Sequence, residues 1–126
     1  MLDNVSSSSC FKSHQIVSLA HQNSCLYAEV IQEIPERHKC WVRPLFLAVD
    51  IYSVSPQVYS LRSASDLVWP IQAFSPAFDT EVIPFLTALE SSQFESSENP
   101  QTVRSRFNHF IQQVWQKEQI ASKEEQ

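Results

Sequence analysis

The chain has 126 residues, of which 43% are hydrophobic and 18% charged, with a formal net charge of −5. A chain of this size can bury a core as one domain without metal or disulfide staples, and it is too apolar to be disordered. It contains no glycine, which excludes phosphate-binding loops, dinucleotide-binding turns and nucleophile elbows that need positive φ or close backbone approach. Asn-Gly hairpin turns are excluded too, so turns are expected to be longer or to use Asn, Asp and His.

The first 14 residues are rich in serine and lack periodicity, so residues 1–14 are expected to form a flexible N-terminal arm. A first strand is predicted over residues 15–20, followed by a turn at residues 21–24. The domain is expected to span residues 15–120, with a frayed tail at residues 121–126.

The predicted centre of the domain is a β-hairpin over residues 25–47. Apolar and polar side chains alternate along residues 25–34, Pro35 begins a turn, and a return strand covers residues 38–49. A register that places Ile34 opposite His38 also creates two cross-strand charge pairs, Glu33–Lys39 and Glu29–Arg43.

This register sorts the hairpin side chains onto two faces. Leu26 and Val30 share one face with Cys40, Val42 and Phe46. The other face carries the half-apolar set Tyr27, Ile31, Trp41 and Leu45, which something is expected to cover. Pro44 cannot donate a ladder hydrogen bond, so we expect it at an edge, a bulge or a widely spaced pair.

The C-terminal half contains mainly helix signals. A short strand is predicted within residues 54–61, and residues 65–70 read as a short helical turn or loop stopped by Pro70. Asp79 or Thr80 can begin a helix that ends near residue 90, with Pro84 close to its first turn. Residues 91–98 form a polar linker, and Asn99-Pro100 signals a helix to about residue 117. These elements predict an α+β fold, an antiparallel β-meander or small SH3-like barrel covered by C-terminal helices.

Two stretches carry a resemblance to known proteins. Residues 26–32, Leu-Tyr-Ala-Glu-Val-Ile-Gln, followed by residues 40–45, Cys-Trp-Val-Arg-Pro-Leu, resemble a small family of uncharacterised cyanobacterial proteins over residues 15 to about 90. The order of strands and helices also resembles SH3-like small barrels with helical additions, a similarity of fold that implies no function.

Four residues have the chemistry of zinc ligands: His21, Cys25, His38 and Cys40. The hairpin register argues against a metal site, because the two thiols lie seven residues apart on opposite faces, more than ~20 Å at about 3.3 Å per residue. The odd number of three cysteines, with no signal peptide, indicates reduced thiols in a cytoplasmic protein. No nucleophile, base and orienting acid occur together, so no catalytic residue or cofactor is expected and an enzyme is the third hypothesis.

The strongest candidate binding residues surround Trp41. Arg37, Lys39 and Arg43 make a basic and aromatic stretch with it, as in barrels that bind single-stranded nucleic acid. An ordinary solvent face with Lys39 and Arg43 paired to carboxylates is the more common arrangement. Tyr27 and Ile31 make the same face partly apolar, so a protein partner is the leading hypothesis.

A second candidate interface is the C-terminal helix. Its stripe of Phe107, Phe110 and Val114 follows helical spacing, and such a stripe docks a partner or, more often, packs on its own sheet.

The sequence therefore favours a non-enzymatic protein-interaction or adaptor module that forms a homodimer through the face of Trp41 or through the last helix. The alternative is a nucleic-acid-binding small β-barrel, which the net negative charge makes less favourable. No apolar run approaches the ~18 residues that cross a bilayer, so a soluble protein is expected.

Overall fold

The computed structural model describes residues 11–62, 64–90 and 100–124. These residues form an antiparallel sheet and two α-helices, an α+β fold as the sequence predicts. The strands are β1 (Ile16–His21), β2 (Ser24–Ile34), β3 (Lys39–Val49), β4 (Gln57–Ser60), β5 (Leu67–Pro70) and β6 (Ser75–Pro76). The helices are α1 (Asp79–Glu90) and α2 (Pro100–Glu124), and short 3-10 turns lie at Pro35–Arg37 and Ile71–Ala73.

The sheet is open, with the strand order β4-β3-β2-β1-β6. Strand β5 also pairs with β3, beside β4, so two short strands share one edge of the long strand. The chain between them runs along the same edge, beside the middle of β3, where the Leu61 N–H donates to the Leu45 carbonyl at 2.9 Å. The sheet does not close into a barrel, so of the two expected arrangements the antiparallel meander is the one that the structure confirms.

The hairpin of β2 and β3 contains two bulges that the sequence did not predict. The predicted register holds only in the middle, at the pairs Ala28–Pro44, Glu29–Arg43 and Val30–Val42. Ile31 is an extra residue in β2 on the turn side of these pairs, and Leu45 is an extra residue in β3 on the other side. The ladder is therefore shifted by one residue at both ends. Pro44 is next to the second bulge, as expected of a residue that donates no ladder bond.

The bulge at Leu45 moves Phe46 to the opposite face from the one predicted. Phe46 pairs with Tyr27 and stacks on its ring, with 4.8 Å between the ring centroids. Leu47 takes its place opposite Leu26. The expected pair of Leu26 with Phe46 is wrong, because one added residue reverses which side chains point to each face of a strand.

Each face of the sheet has its own core. One face packs Leu26, Ala28, Val30, Cys40 and Val42 with side chains of α2. The other packs Cys25, Tyr27, Phe46, Ala48 and Val58 with Val82 and Phe85 of α1. The two helices therefore lie on opposite faces, and each supplies the apolar surface that its face of the sheet must bury.

Four parts of the chain differ from the sequence-based expectation. Residues Leu67–Pro70 form strand β5, where a loop or helical turn was expected, and β6 was not predicted. Helix α2 continues seven residues beyond 117, into the expected tail. Phe11 is buried in the core and its N–H donates to Glu33 Oε2 at 2.7 Å, so the expected arm is docked from this residue onward. Residues 1–10, the linker at residues 91–98 and residues 125–126 lie outside the described parts of the chain.

The turns show how a chain without glycine reverses direction. His14, Gln22, His38 and Asp50 adopt left-handed backbone conformations, with φ between 55° and 72°. His and Asp are the residue types expected at such positions. Gln22 was not expected, and it permits a two-residue connection between β1 and β2. A left-handed non-glycine residue costs about 1–2 kcal/mol, so these positions carry local strain.

Candidate functional site: the Trp41 face

One face of the sheet is divided into two halves. Helix α1 covers the half that contains Tyr27, Phe46 and Val58, and all three side chains are buried. The other half carries Trp41, which is partly exposed, and Val68, which is 52% exposed and lies opposite Trp41 in the ladder. None of the elements in residues 11–62, 64–90 and 100–124 covers this second half.

We call this open half the Trp41 face and define it by five residues from three segments. Glu29 lies on β2, Trp41 and Arg43 on β3, Val68 on β5, and Asp66 in the connection between β4 and β5. The alternation of side chains along paired strands puts the four strand residues on one side of the sheet. The β4–β5 connection runs beside the middle of β3 and adds Asp66 to them.

Asp66 is the centre of the polar contacts on this face. Its Oδ2 accepts a hydrogen bond from Trp41 Nε1 at 2.9 Å and another from Arg43 Nη2 at 3.2 Å. Its Oδ1 accepts from Arg43 Nε at 3.1 Å, so the guanidinium and the carboxylate meet in a two-bond fork. One carboxylate thus fixes both the indole and the guanidinium.

The same contacts shift the ionisation of the pair. Hydrogen bonds from Arg43, and next from Trp41, hold the pKa of Asp66 below its ordinary value. The bond to Asp66 and its negative charge raise the pKa of Arg43, to which Glu29 adds a smaller effect. Both groups are charged at neutral pH, and Arg43 has its positive charge matched locally.

Glu29 makes its hydrogen bond away from Arg43, although the two residues are cross-strand partners as the sequence predicts. Its Oε2 lies 2.7 Å from His14 Nδ1. The other expected charge pair is wrong: Glu33 lies opposite Cys40, on the other face from Lys39, because of the bulge at Ile31.

The other residues predicted for this surface divide into accessible and buried ones. Lys39 is partly exposed at the start of β3, Arg37 is exposed in the turn, and Ile31 is half-buried at its bulge. Tyr27 is only 4% exposed beneath α1, which contradicts its assignment to a binding surface. Its hydroxyl donates to Glu81 Oε2 at 2.8 Å.

The expected interface on the last helix is buried inside the protein. Phe107, Phe110 and Val114 are 7%, 3% and 4% exposed and belong to the core on the α2 face. They pack on the protein's own sheet, the alternative that is more common for such a stripe. They therefore offer no surface to a second chain in this conformation.

The two thiols that the structure describes lie on opposite faces of the sheet, as the predicted register implied. Cys25 and Cys40 are both buried and belong to the two different cores. Desolvation raises the pKa of Cys25, so this thiol is neutral and poorly reactive. Within the described ranges, no group of three or more His, Cys, Asp or Glu side chains is placed to hold a metal ion.

Sequence reasoning found Trp41 and Arg43 but missed Asp66 and Val68. Asp66 lies 23 residues from Arg43 along the chain, and only the path of the β4–β5 connection brings them together. Val68 precedes Trp69-Pro70, and this proline suggested a loop. The signal that was available is the β-propensity of Val68 and Trp69.

Comparisons with known proteins add no relative. No family model, no curated protein and no solved structure matches the chain. The resemblance to a cyanobacterial family therefore stays a prediction. Among the helices that the structure describes, none combines the length and hydropathy needed to span a membrane.

Proposed function

We propose that this protein is a non-enzymatic interaction module that associates with a second copy of itself through the Trp41 face. The observation that carries the proposal is the uneven cover of one sheet face. Helix α1 buries the Tyr27 half, whereas Val68 beside Trp41 stays 52% exposed.

The composition of the Trp41 face supports a protein partner. Tryptophan and arginine are enriched at the centres of protein interfaces, where a buried aromatic ring provides most of the binding free energy. Here Trp41 and Val68 form an apolar centre, and the pair of Arg43 with Asp66 lies beside it.

The hydrogen bonds within the face also support binding. Three hydrogen bonds to Asp66 hold the Trp41 indole N–H and the Arg43 guanidinium in place. A side chain that is already fixed loses less conformational entropy on association, so more of the contact energy appears as affinity.

The charges suit a second copy of the chain better than nucleic acid. Glu29, Asp66 and Arg43 put both signs on one small surface, so a twofold axis can place Arg43 of one copy beside a carboxylate of the other. A strand of nucleic acid needs a groove with excess positive charge. The two carboxylates oppose this requirement.

Light scattering and sedimentation equilibrium over a range of protein concentrations test the proposal. We expect a mass that rises from monomer to dimer, and a loss of the dimer in Val68→Ser. Val54→Ser is the matched control, because Val54 is fully exposed in the β3–β4 connection, away from the Trp41 face.

Two results would overturn the proposal. One is a protein that stays monomeric up to a concentration on the order of 1 mM, which corresponds to an association free energy weaker than about −4 kcal/mol. The other is salt-sensitive binding of single-stranded oligonucleotides that both Arg43→Ala and Lys39→Ala weaken, which would favour a nucleic-acid-binding protein.

A further inference from the structure

A cleft lies on the α2 side of the sheet, opposite the Trp41 face. It opens between the beginning of α2 and the chain that leaves β4. Its apolar wall consists of Leu61, Ala64, Val103 and Phe107. The side chains of Leu61 and Phe107 also belong to the core, so this wall is part of the packed structure.

The volume of the cleft is about 170 Å³. A dry protein cavity of about 150 Å³ is large enough to hold one benzene molecule. The cleft therefore has room for one aromatic ring or a branched chain of similar size, and it is too small for a nucleotide or other large cofactor.

The polar rim of the cleft carries a positive charge, and none of the described side chains forms an ion pair with it. Arg104 lines the cleft together with Ser65 and Asn108, and none of the lining residues is a carboxylate. Arg43 is engaged by Asp66, and Arg106 lies over the ring of Tyr59 at 4.9 Å. In the part of the chain that the structure describes, Arg104 has no comparable partner.

We propose that this cleft binds a small organic carboxylate with one ring-sized apolar group. The ring would lie against Leu61 and Phe107, and the carboxylate would accept hydrogen bonds from the Arg104 guanidinium and the Asn108 amide. A neutral ring would leave Arg104 unpaired, and an inorganic anion would leave the apolar wall in contact with water. The proposal is independent of self-association through the Trp41 face.

Titration of the ¹⁵N-labelled protein with benzoate tests the site. We expect saturable shifts of the backbone amides of Leu61, Val103 and Asn108, with a dissociation constant on the order of 1 mM for a ligand of this size. Amides of Trp41 and Val68 on the opposite face are expected to stay unchanged. Benzyl alcohol and acetate, which carry only the ring or only the carboxylate, are expected to bind at least tenfold more weakly.

Three variants separate the charge of the site from its shape. Arg104→Gln should weaken benzoate binding about tenfold or more, as expected for the loss of a charged hydrogen-bond partner. Arg37→Gln is the matched control, because it makes the same change of charge at an exposed turn outside the cleft. Ala64→Phe should block the cleft without changing its charge, and Ala64 is half-buried, so the added ring can be accommodated near the surface.

Several results would contradict the proposal. These are the absence of saturable shifts with benzoate up to a concentration on the order of 20 mM, equal affinity for benzyl alcohol or acetate, and unchanged binding in Arg104→Gln. Equal weakening by Arg104→Gln and Arg37→Gln would indicate general electrostatic attraction in place of a site.

Discussion

The two halves of the divided sheet face are built from the same strands but differ in what completes them. Toward one end, β2 and β3 present Tyr27 and Phe46, which stack on each other and pack against Phe85 of α1. Toward the other end they present Glu29, Trp41 and Arg43, and polar contacts with Asp66 replace a covering helix.

The position of α1 is fixed by a polar contact as well as by apolar packing. Glu81 accepts the Tyr27 hydroxyl at 2.8 Å through one oxygen and the Phe78 N–H at 3.2 Å through the other. Burial, and next the bond to Glu81, raise the pKa of Tyr27. A carboxylate thus acts in both halves, but in one it attaches a helix and in the other it orders exposed side chains.

The largest contrast is expected between two valines on the same face of the sheet. Val58 is 4% exposed beneath α1, and Val68 is 52% exposed. Val58→Ala should lower the free energy of unfolding by about 2 kcal/mol, through lost burial and a small cavity. Val68→Ala should change it by no more than about 0.5 kcal/mol. Urea unfolding measures both, and equal losses would show that the Trp41 face is buried in solution.

Removing the Glu81 contact should loosen the covered half alone. Glu81→Ala is expected to cost about 1–2 kcal/mol, because it leaves the buried Tyr27 hydroxyl without its acceptor. Reaction of the thiols with Ellman's reagent in a Cys10→Ser background should then accelerate at Cys25, beneath α1, and stay slow at Cys40 in the other core. Glu81→Gln keeps an acceptor and is the control. Equal acceleration at both thiols would indicate global destabilisation.

Strained turns should behave alike at both ends of the hairpin. Gln22 has φ 55° near the covered half and His38 has φ 57° near the open half. Glycine at either position should raise the free energy of unfolding by about 0.5–1 kcal/mol, since it adopts this conformation without strain but loses more entropy on folding. Thermal unfolding of each variant tests this. Destabilisation by both glycines would mean that side-chain contacts outweigh the backbone strain.

The smallest expected effect concerns the ionisation of Asp66. Its pKa is depressed by Arg43, so the pair contributes stability above the ordinary carboxyl pKa and loses it as the pH falls through the lowered value. In Arg43→Ala the pKa of Asp66 should rise toward its ordinary value, which NMR titration of the carboxyl carbon follows. A pKa unchanged in this variant would place the cause in Trp41.

The hairpin strands and the helix starts could be predicted because alternation and the Asn-Pro signal are local patterns. The bulges could not be predicted from the sequence. A register without bulges also pairs apolar residues with apolar ones and opposite charges with each other, so the pattern does not favour the bulged register. The full Trp41 face could not be predicted either, because it depends on the path of the β4–β5 connection. No periodic pattern in the sequence describes that path. Tyr27 was misassigned for a related reason: alternation shows which residues share a face but not how far a helix covers it.

The two bulges compensate each other in the pairing register of the hairpin. The extra Ile31 in β2 changes the pairing frame, and the extra Leu45 in β3 restores it. Deleting both residues would leave every other pair of the hairpin with its present partner. The three pairs between the bulges, residues 28–30 with residues 42–44, are therefore one residue out of step with the ladder on either side. Arg43 lies within this short stretch, and Trp41 lies just beyond it, where the outer register resumes.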